Sequence, residues 1–153
     1  MKRYVFIFLG ILFAILSSKV LWSKDVKKYV GSEACKECHE TEYNNFMKYA
    51  KKPKSYESIA KMRKGLTESE IEGCYKCHTT GYGRPSGFIS PERTPNLRNA
   101  SCEVCHGPGS VHVESGDPAD IKGKLDIKDC EACHVAERVE AFEYKPLIYG
   151  GAH

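Results

Sequence analysis

The chain is short of the residues from which a protein of its size normally builds an interior. It has 153 residues with one tryptophan and three methionines, and leucine, isoleucine and valine are sparse beyond residue 23. Alternating apolar segments are almost absent, which indicates little or no β-sheet. A domain of this length normally buries a sizeable apolar core. Most of that core therefore has to come from something other than aliphatic side chains.

The chain also lacks a net charge once its first residues are set aside. Lys2, Arg3 and Lys19 have no acidic counterpart in residues 1–23, and removing them takes lysine plus arginine from 23 to 20, against 20 aspartates plus glutamates. Lysines are scattered over the rest of the sequence, and the basic run from Lys48 to Lys54 is short. This pattern argues against nucleic-acid binding, which favours a concentrated basic patch.

No cysteine is left over from one repeated pattern. The eight cysteines fall into four Cys-x-x-Cys-His motifs, numbered here 1 to 4 in chain order: Cys35, Cys38 and His39; Cys74, Cys77 and His78; Cys102, Cys105 and His106; Cys130, Cys133 and His134. This motif is the attachment site of c-type haem. Its two thiols reach the two vinyl groups of one porphyrin, and the following histidine lies under the iron as the proximal ligand. The sequence therefore predicts four covalently bound c-type haems, which would also supply the missing apolar interior.

Two other chemistries compete for the same cysteines. Four disulfides would suit an exported chain, but they do not account for the repeated spacing or for the histidine after each second cysteine. Pairs of Cys-x-x-Cys units could instead hold structural zinc in tetrahedral sites, and the histidines would then have no role. Haem attachment explains every residue of the motif.

The N-terminal 23 residues are typical of a secretory signal. Met1, Lys2 and Arg3 form a basic start, an apolar run extends from Tyr4 to Leu16, and serines follow. We expect a signal peptide at residues 1–23 and a single domain at 24–153, located in the periplasm or outside the cell. An uncleaved anchor over residues 4–22 remains the alternative, since that length is close to the lower limit for crossing a bilayer. Membrane contact is expected only in that case.

Short helices joined by long loops are predicted for the remainder, giving a mainly α, compact, haem-dominated domain with almost no sheet. The predicted features are a helical face of Tyr43, Phe46, Met47 and Ala50; a helix over residues 55–64 with Tyr56, Ile59 and Ala60 on one side; a capping box at Thr67 and Glu70; a loop over 79–100; an N-cap at Asp117 before Pro118; and a helix over 129–144. Met47 and Met62 are predicted as core residues rather than haem ligands.

Histidine is too scarce for two histidine ligands on every iron. Four haems would need eight histidines, and the chain has six. His112 and His153 lie outside the motifs, and we predict both as distal ligands. The Gly-Pro-Gly turn after motif 3 can direct His112 towards another haem, and His153 ends the chain after an apolar segment. At least two haems are then five-coordinate, ligated by methionine or lysine, or completed by a partner chain.

Three stretches of the sequence carry a resemblance to a known family. Residues 29–39, residues 77–83 and residues 102–112 resemble the tetrahaem cytochrome c-554 family, and the similarity extends over about residues 29–134. The resemblance implies a helical protein around closely packed haem pairs, with three bis-histidine haems and a five-coordinate second haem. Carried over to this sequence, His112 would be distal on the haem of His39, His153 distal on the haem of His134, and His78 would hold the open haem.

Lys51 stands where the family places the distal histidine of the third haem. A deprotonated lysine can ligate iron, because a metal lowers the pKa of its ligand; a solvated lysine is the alternative. The resulting function hypothesis is a carrier of single electrons between redox protein donors and acceptors. The alternatives are a small enzyme that reduces a nitrogen oxide or hydroxylamine at a five-coordinate haem, and a subunit of a cytochrome filament whose chains share a haem ligand.

Overall fold

The computed structural model of the protein describes residues 26–134, and its regular structure in that range is helical, without a strand. The α-helices are α1 (Glu40–Tyr49), α2 (Tyr56–Met62), α3 (Glu68–His78), α4 (Glu103–His106), α5 (Ser110–Ser115) and α6 (Ile127–Glu131). Short 3-10 turns span Ser32–Cys35, Lys52–Lys54, Arg63–Gly65, Pro95–Leu97 and Pro118–Asp120. The prediction of a mainly α domain with long loops and no sheet is confirmed for these residues.

Helix α1 follows directly from motif 1. Tyr43 and Phe46, one turn apart, are buried, as expected for an amphipathic helix that packs on one side. The helix ends at Tyr49 because Ala50 is extended ahead of Pro53. Met47 was expected in the core, but it lies outside the buried stripe and is 40% exposed.

The same correction applies to helix α2. Ile59 is buried at 2% exposure, whereas Ala60, expected beside it, is exposed, and Met62 is 60% exposed. Helix α2 is only seven residues long and packs one narrow face against α3. The predicted core role of Met47 and Met62 is therefore wrong, because each lies outside the buried face of its own helix.

One apolar cluster lies behind helix α3, which contributes Ile71 and Tyr75 to it. It contains Ile59, Ile71, Tyr75, Phe88 and Leu97. The Tyr75 ring meets the Phe88 ring edge to face at a centroid distance of 5.1 Å, a favoured aromatic geometry. This cluster holds α3 in place, and α3 in turn carries Cys77 and His78.

A capping box fixes the start of α3, as the sequence predicts. The backbone N–H of Thr67 donates to the Glu70 carboxylate at 2.8 Å, and the Glu70 N–H donates to Thr67 Oγ1 at 3.4 Å. The hydrogen bonds from Thr67 lower the pKa of the Glu70 carboxyl. The helix that presents motif 2 therefore has a defined first turn.

We expect Thr67→Ala to lower the free energy of unfolding of the holoprotein by about 1 kcal/mol, the usual effect of losing an N-cap side chain. Denaturant unfolding followed by far-UV circular dichroism would measure it. Glu72→Ala, at an exposed position of the same helix, should change that free energy by less than about 0.5 kcal/mol. Equal effects of the two substitutions would contradict the capping assignment.

The loop at residues 79–100 is stabilised around one buried threonine. Thr80 is fully buried; its N–H donates to the Leu97 carbonyl at 2.9 Å, and its carbonyl accepts from the Phe88 N–H at 2.8 Å. Its hydroxyl donates to the Asn99 carbonyl at 2.6 Å. The predicted loop is confirmed, with one 3-10 turn inside it. Thr80 satisfies three of the loop's backbone polar groups, namely the Leu97 and Asn99 carbonyls and the Phe88 N–H.

The helix predicted over residues 129–144 differs in the structure. Helix α6 begins at Ile127, capped by Asp126, and ends at Glu131, so Cys133 and His134 lie beyond it. Residues 135–144 of that prediction lie outside the described range, as do the N-terminal segment 1–23 and His153. Among residues 26–134, no helix is both long enough and apolar enough to cross a bilayer.

Candidate haem-binding site

The four motifs converge on one large cavity. Its volume is about 1340 Å³, above the range of about 300–1,000 Å³ typical of small-molecule pockets. Its walls contain the histidine of every motif and seven of the eight motif cysteines: His39, His78, His106, His134, Cys35, Cys38, Cys77, Cys102, Cys105, Cys130 and Cys133. Cys74 packs instead against the apolar cluster behind α3. The motifs therefore surround one shared space.

Thiols of motifs 1 and 3 lie side by side. The Cys35 and Cys102 thiols are hydrogen-bonded, which raises the pKa of Cys35 and lowers that of Cys102 to about 6. Ser32 strengthens the contact, because its hydroxyl lies 3.4 Å from Cys102 Sγ and accepts from the Cys102 N–H at 3.2 Å. In the holoprotein these sulfurs would be thioethers, so the contact places one attachment point of motif 1 beside one of motif 3.

Motif 4 forms the other two junctions. Burial, with the neighbouring Cys77 thiol as a further cause, raises the pKa of Cys133 to about 11. Burial also raises the pKa of Cys105, and the nearby Cys130 thiol adds to that shift. Motif 4 therefore adjoins motif 2 through Cys133 and Cys77, and motif 3 through Cys130 and Cys105. Together with the first junction, these neighbouring thiols link motif 1 to motif 3, motif 3 to motif 4, and motif 4 to motif 2.

The alternative cysteine chemistries find no geometric support. None of the eight cysteines is in a disulfide, so the competing disulfide arrangement is not formed. Within residues 26–134, no group of three or more His, Cys, Asp and Glu side chains is arranged to hold a metal ion. Zinc bound between two motifs would require such a group.

His39 and His112 face each other across the cavity. Their ring centroids are 6.2 Å apart, with 30° between the ring planes. Imidazole nitrogens lie about 2.0–2.1 Å from a bound metal such as zinc; two such bonds, with the nitrogen-to-centre distance of each ring added, span a gap of this size. The turn after motif 3 places His112 here, with Gly107 at a φ of 79°. The centroid separation suits two imidazoles on one iron, and the ligation of the haem of His39 by His112 stays a prediction.

Backbone carbonyls orient three of the histidines. The Nδ1 atoms of His78, His106 and His112 lie 2.9, 2.7 and 2.9 Å from the carbonyl oxygens of Ser55, Lys122 and Asp117, respectively. A carbonyl oxygen only accepts, so each Nδ1 carries the proton and each Nε2 keeps its lone pair. This is the usual support of a metal-binding imidazole.

Ser55 is a site residue that sequence reasoning missed. Its hydroxyl donates to the His78 carbonyl at 2.7 Å and accepts from the Ala100 N–H at 2.9 Å, while its own carbonyl orients the His78 ring. It ties the end of motif 2 to the segment that leads into motif 3. A serine before a helix gives no sequence signal of this role beyond that of an ordinary N-cap.

Glu103 is a second site residue that the sequence alone did not identify, because its position within the motif is an ambiguous signal. It follows the first cysteine of motif 3 and is 1% exposed, whereas Glu131 holds the same position in motif 4 and is exposed. Motif position therefore does not distinguish the buried carboxylate from the solvated one.

Lys51 and Lys52 both line the cavity. Lys51 is exposed and immediately precedes the 3-10 turn Lys52–Lys54, while Lys52 is half-buried. Burial and then the positive charge of Lys52 lower the pKa of His134, and Lys52 also acts on Cys105 and Cys130. The predicted lysine thus lies on the cavity wall, and its neighbour supplies the positive charge at the junction of motifs 3 and 4.

The donor set fits covalent haem. Motif thiols, motif imidazoles and one further imidazole surround a space that the side chains leave open, and the protein binds c-type haem at four such motifs. His153 lies outside the described residues, so its predicted ligation is not placed.

Comparison with known proteins agrees with this chemistry. The sequence profile of the family described as cytochrome c554 and c-prime matches residues 34–107. Cytochrome c-554 of Nitrosomonas europaea is 26% identical over 136 residues, covering 70% of this chain and 57% of the relative. The chain thus spans little more than half the length of that curated relative. No solved structure matches the chain.

Proposed function

We propose that this chain, which is similar to the cytochrome c-554 family of c-type cytochromes, is an exported carrier that takes single electrons from one redox protein and delivers them to another. The family supports electron transfer by c-type haem and redox proteins as partners. The periplasmic or extracellular location rests on residues 1–23 as a secretory signal, and the carrier itself is the single domain at 24–153.

One observation supports the carrier function most strongly: the four attachment motifs adjoin one another in an unbroken spatial order. Cys35 meets Cys102, Cys105 lies near Cys130, and Cys133 meets Cys77. Bound haem supplies the one-electron chemistry, and the chain supplies attachment, orientation and burial. Links from motif 1 to 3, from 3 to 4 and from 4 to 2 connect all four attachment sites, which suits the passage of electrons from one haem to the next.

The ligand assignment is part of the proposal. His39, His78, His106 and His134 are proximal ligands, and His112 completes the haem of His39, as the 6.2 Å ring separation supports. His153 is assigned to the haem of His134, and Lys51 to the haem of His106, with its position on the cavity wall in support. The haem of His78 is left with an open position.

Electron paramagnetic resonance and optical spectra of the purified ferric holoprotein, followed by reduction and addition of CO, test this assignment. We expect low-spin signals from the bis-histidine haems, one high-spin haem, and CO binding at one iron per chain. Lys51→Ala should open a second iron, with Lys64→Ala, an exposed lysine that is not part of the cavity wall, as the control. A wholly low-spin protein that ignores CO would contradict an open haem at His78.

The carrier function itself is tested by electron counting and turnover. We expect the reduced holoprotein to return four electrons per chain to an oxidised acceptor cytochrome, and to turn over neither nitric oxide, nitrite nor hydroxylamine with a reducing dye. Steady turnover of one of these nitrogen compounds would make the protein an enzyme. If light scattering showed oligomers, and paramagnetic resonance showed that their dissociated monomers gain a high-spin haem, the protein would instead be a filament subunit whose chains share a ligand.

A further inference from the structure

Glu103 is a buried carboxylate inside motif 3 whose role the haem-attachment chemistry does not explain. Its side chain is 1% exposed. Its oxygens accept from three backbone N–H groups: Gly31 at 2.7 Å, Gly109 at 2.8 Å, and Val30 at 3.0 and 3.2 Å. The ion pairs found among residues 26–134 do not include it. Backbone donors therefore compensate its burial, as a buried charge requires.

The donors come from the two segments that deliver His39 and His112. Val30 and Gly31 lead into the 3-10 turn Ser32–Cys35 and so into motif 1. Gly109 is the N-cap residue of α5, which carries His112 three residues later. The carboxylate thus binds one segment on each side of the facing imidazole pair.

Neighbouring contacts extend the same junction. The Ser110 N–H donates to the Lys28 carbonyl at 3.1 Å, and the Lys28 N–H donates to the Ser110 hydroxyl at 2.9 Å. Gly109 approaches so closely that an added Cβ would lie 3.3 Å from Glu103 Oε1. The segment before motif 1 and the turn before His112 are therefore aligned around Glu103.

We propose that Glu103 is a positioning residue that sets the separation of His39 and His112, and thereby the six-coordinate, low-spin state of the haem between them. This inference rests on the proposed ligation by His112. Hydrogen bonds from three backbone N–H groups to one buried carboxylate tie both segments to motif 3 and so hold the two rings, whose centroids are 6.2 Å apart, relative to each other. The buried negative charge also favours the ferric state, because opposite charges attract strongly in a low-dielectric interior.

The test compares Glu103→Ala and Glu103→Gln with the wild-type holoprotein and with Glu114→Gln. Glu114 is an exposed carboxylate on α5, two residues after His112, and its substitution should leave every readout unchanged. In Glu103→Ala we expect one haem per chain to change from low-spin to high-spin and to bind CO after reduction. Added imidazole should make the spectrum of Glu103→Ala equal to that of imidazole-treated wild type, in which the open haem of His78 is also filled, because the iron is open and not lost.

Glu103→Gln keeps the shape and one acceptor oxygen, so it should retain more of the low-spin signal than Glu103→Ala. The reduction potential of one haem should rise in Glu103→Gln, since the charge is gone. If Glu103→Ala does not accumulate as holoprotein, Glu103→Gln decides the question alone through its potential and spin state.

Wild-type spectra and potentials in Glu103→Gln would overturn the inference. A different result separates it from the proposed function: if His112→Ala leaves the wild-type spectrum intact, then His112 is not a ligand and the premise fails. If His112→Ala opens a haem and the Glu103 variants do not, the ligation stands and the positioning role of Glu103 is wrong.

Discussion

His112→Ala should convert one haem per chain from low-spin to high-spin and create one new CO-binding iron. The physical reason is the placement of the His112 ring, 6.2 Å from that of His39, with its Nδ1 proton held by the Asp117 carbonyl at 2.9 Å. Alanine removes the His112 imidazole, whose Nε2 is the ligating atom that helix α5 presents to the cavity. Paramagnetic resonance of the ferric protein and CO difference spectra of the reduced protein measure the change.

Glu114→Ala is the matched control for His112→Ala. It lies on the same short helix, is exposed and is not part of the cavity wall, so it reports any general loss of α5 without touching the ligand. Exogenous imidazole should convert the haem opened by His112→Ala to low spin, and the haem of His78, which is open in the wild type as well, should respond in both proteins. An unchanged low-spin count in His112→Ala would mean that another group ligates the haem of His39.

Gly87→Ala should be among the most damaging single substitutions in the loop between motifs 2 and 3. A Cβ at residue 87 would lie 1.8 Å from the Gly81 carbonyl oxygen, so the two backbone segments would have to separate. The adjacent Phe88 N–H donates to the Thr80 carbonyl at 2.8 Å, and Phe88 belongs to the apolar cluster behind α3. Separation would break that bond and loosen the cluster. We expect a loss above about 4 kcal/mol, the exceptional range for one residue.

Gly73→Ala is the control, because it is the same chemical change without the close approach. Gly73 lies inside α3, and an added Cβ would meet nothing within 4 Å. It should stabilise the protein by about 0.5–1 kcal/mol through lower unfolded-state entropy. Guanidinium unfolding of both holoproteins, with the slope compared between them, measures the effect. Equal midpoints for Gly87→Ala and the wild type would contradict the close approach of residues 81 and 87.

Local patterns were predicted well from the sequence. The capping box of Thr67 and Glu70, the end of α1 before Pro53, and the loop over residues 79–100 all depend on residues within a few positions of one another. Such features follow from hydrogen bonds and backbone preferences that a short segment contains in itself. The predicted helix over residues 129–144 was less accurate, because its actual start depends on the Asp126 cap, which was overlooked.

Side-chain direction was predicted less well. Met47 and Met62 match a helical apolar face in sequence, yet both are exposed. The helices are short and each packs along one narrow line, so periodicity alone does not tell which of two adjacent apolar residues is covered. Glu103 and Glu131 make the same point for charge, since one is buried and the other exposed at equivalent motif positions.

The sequence by itself determined the cofactor, its number and its attachment points, because thioether formation and proximal ligation need only five consecutive residues. Tertiary structure alone decided which motifs are neighbours and which carboxylate holds the two segments together, whereas the pairing of His112 with His39 was already implied by the family resemblance. Those relations join residues such as Cys35 and Cys102, or Val30 and Glu103, that are some seventy positions apart. Distances of that kind depend on the packing of the whole chain around a shared cavity, and no local pattern encodes them.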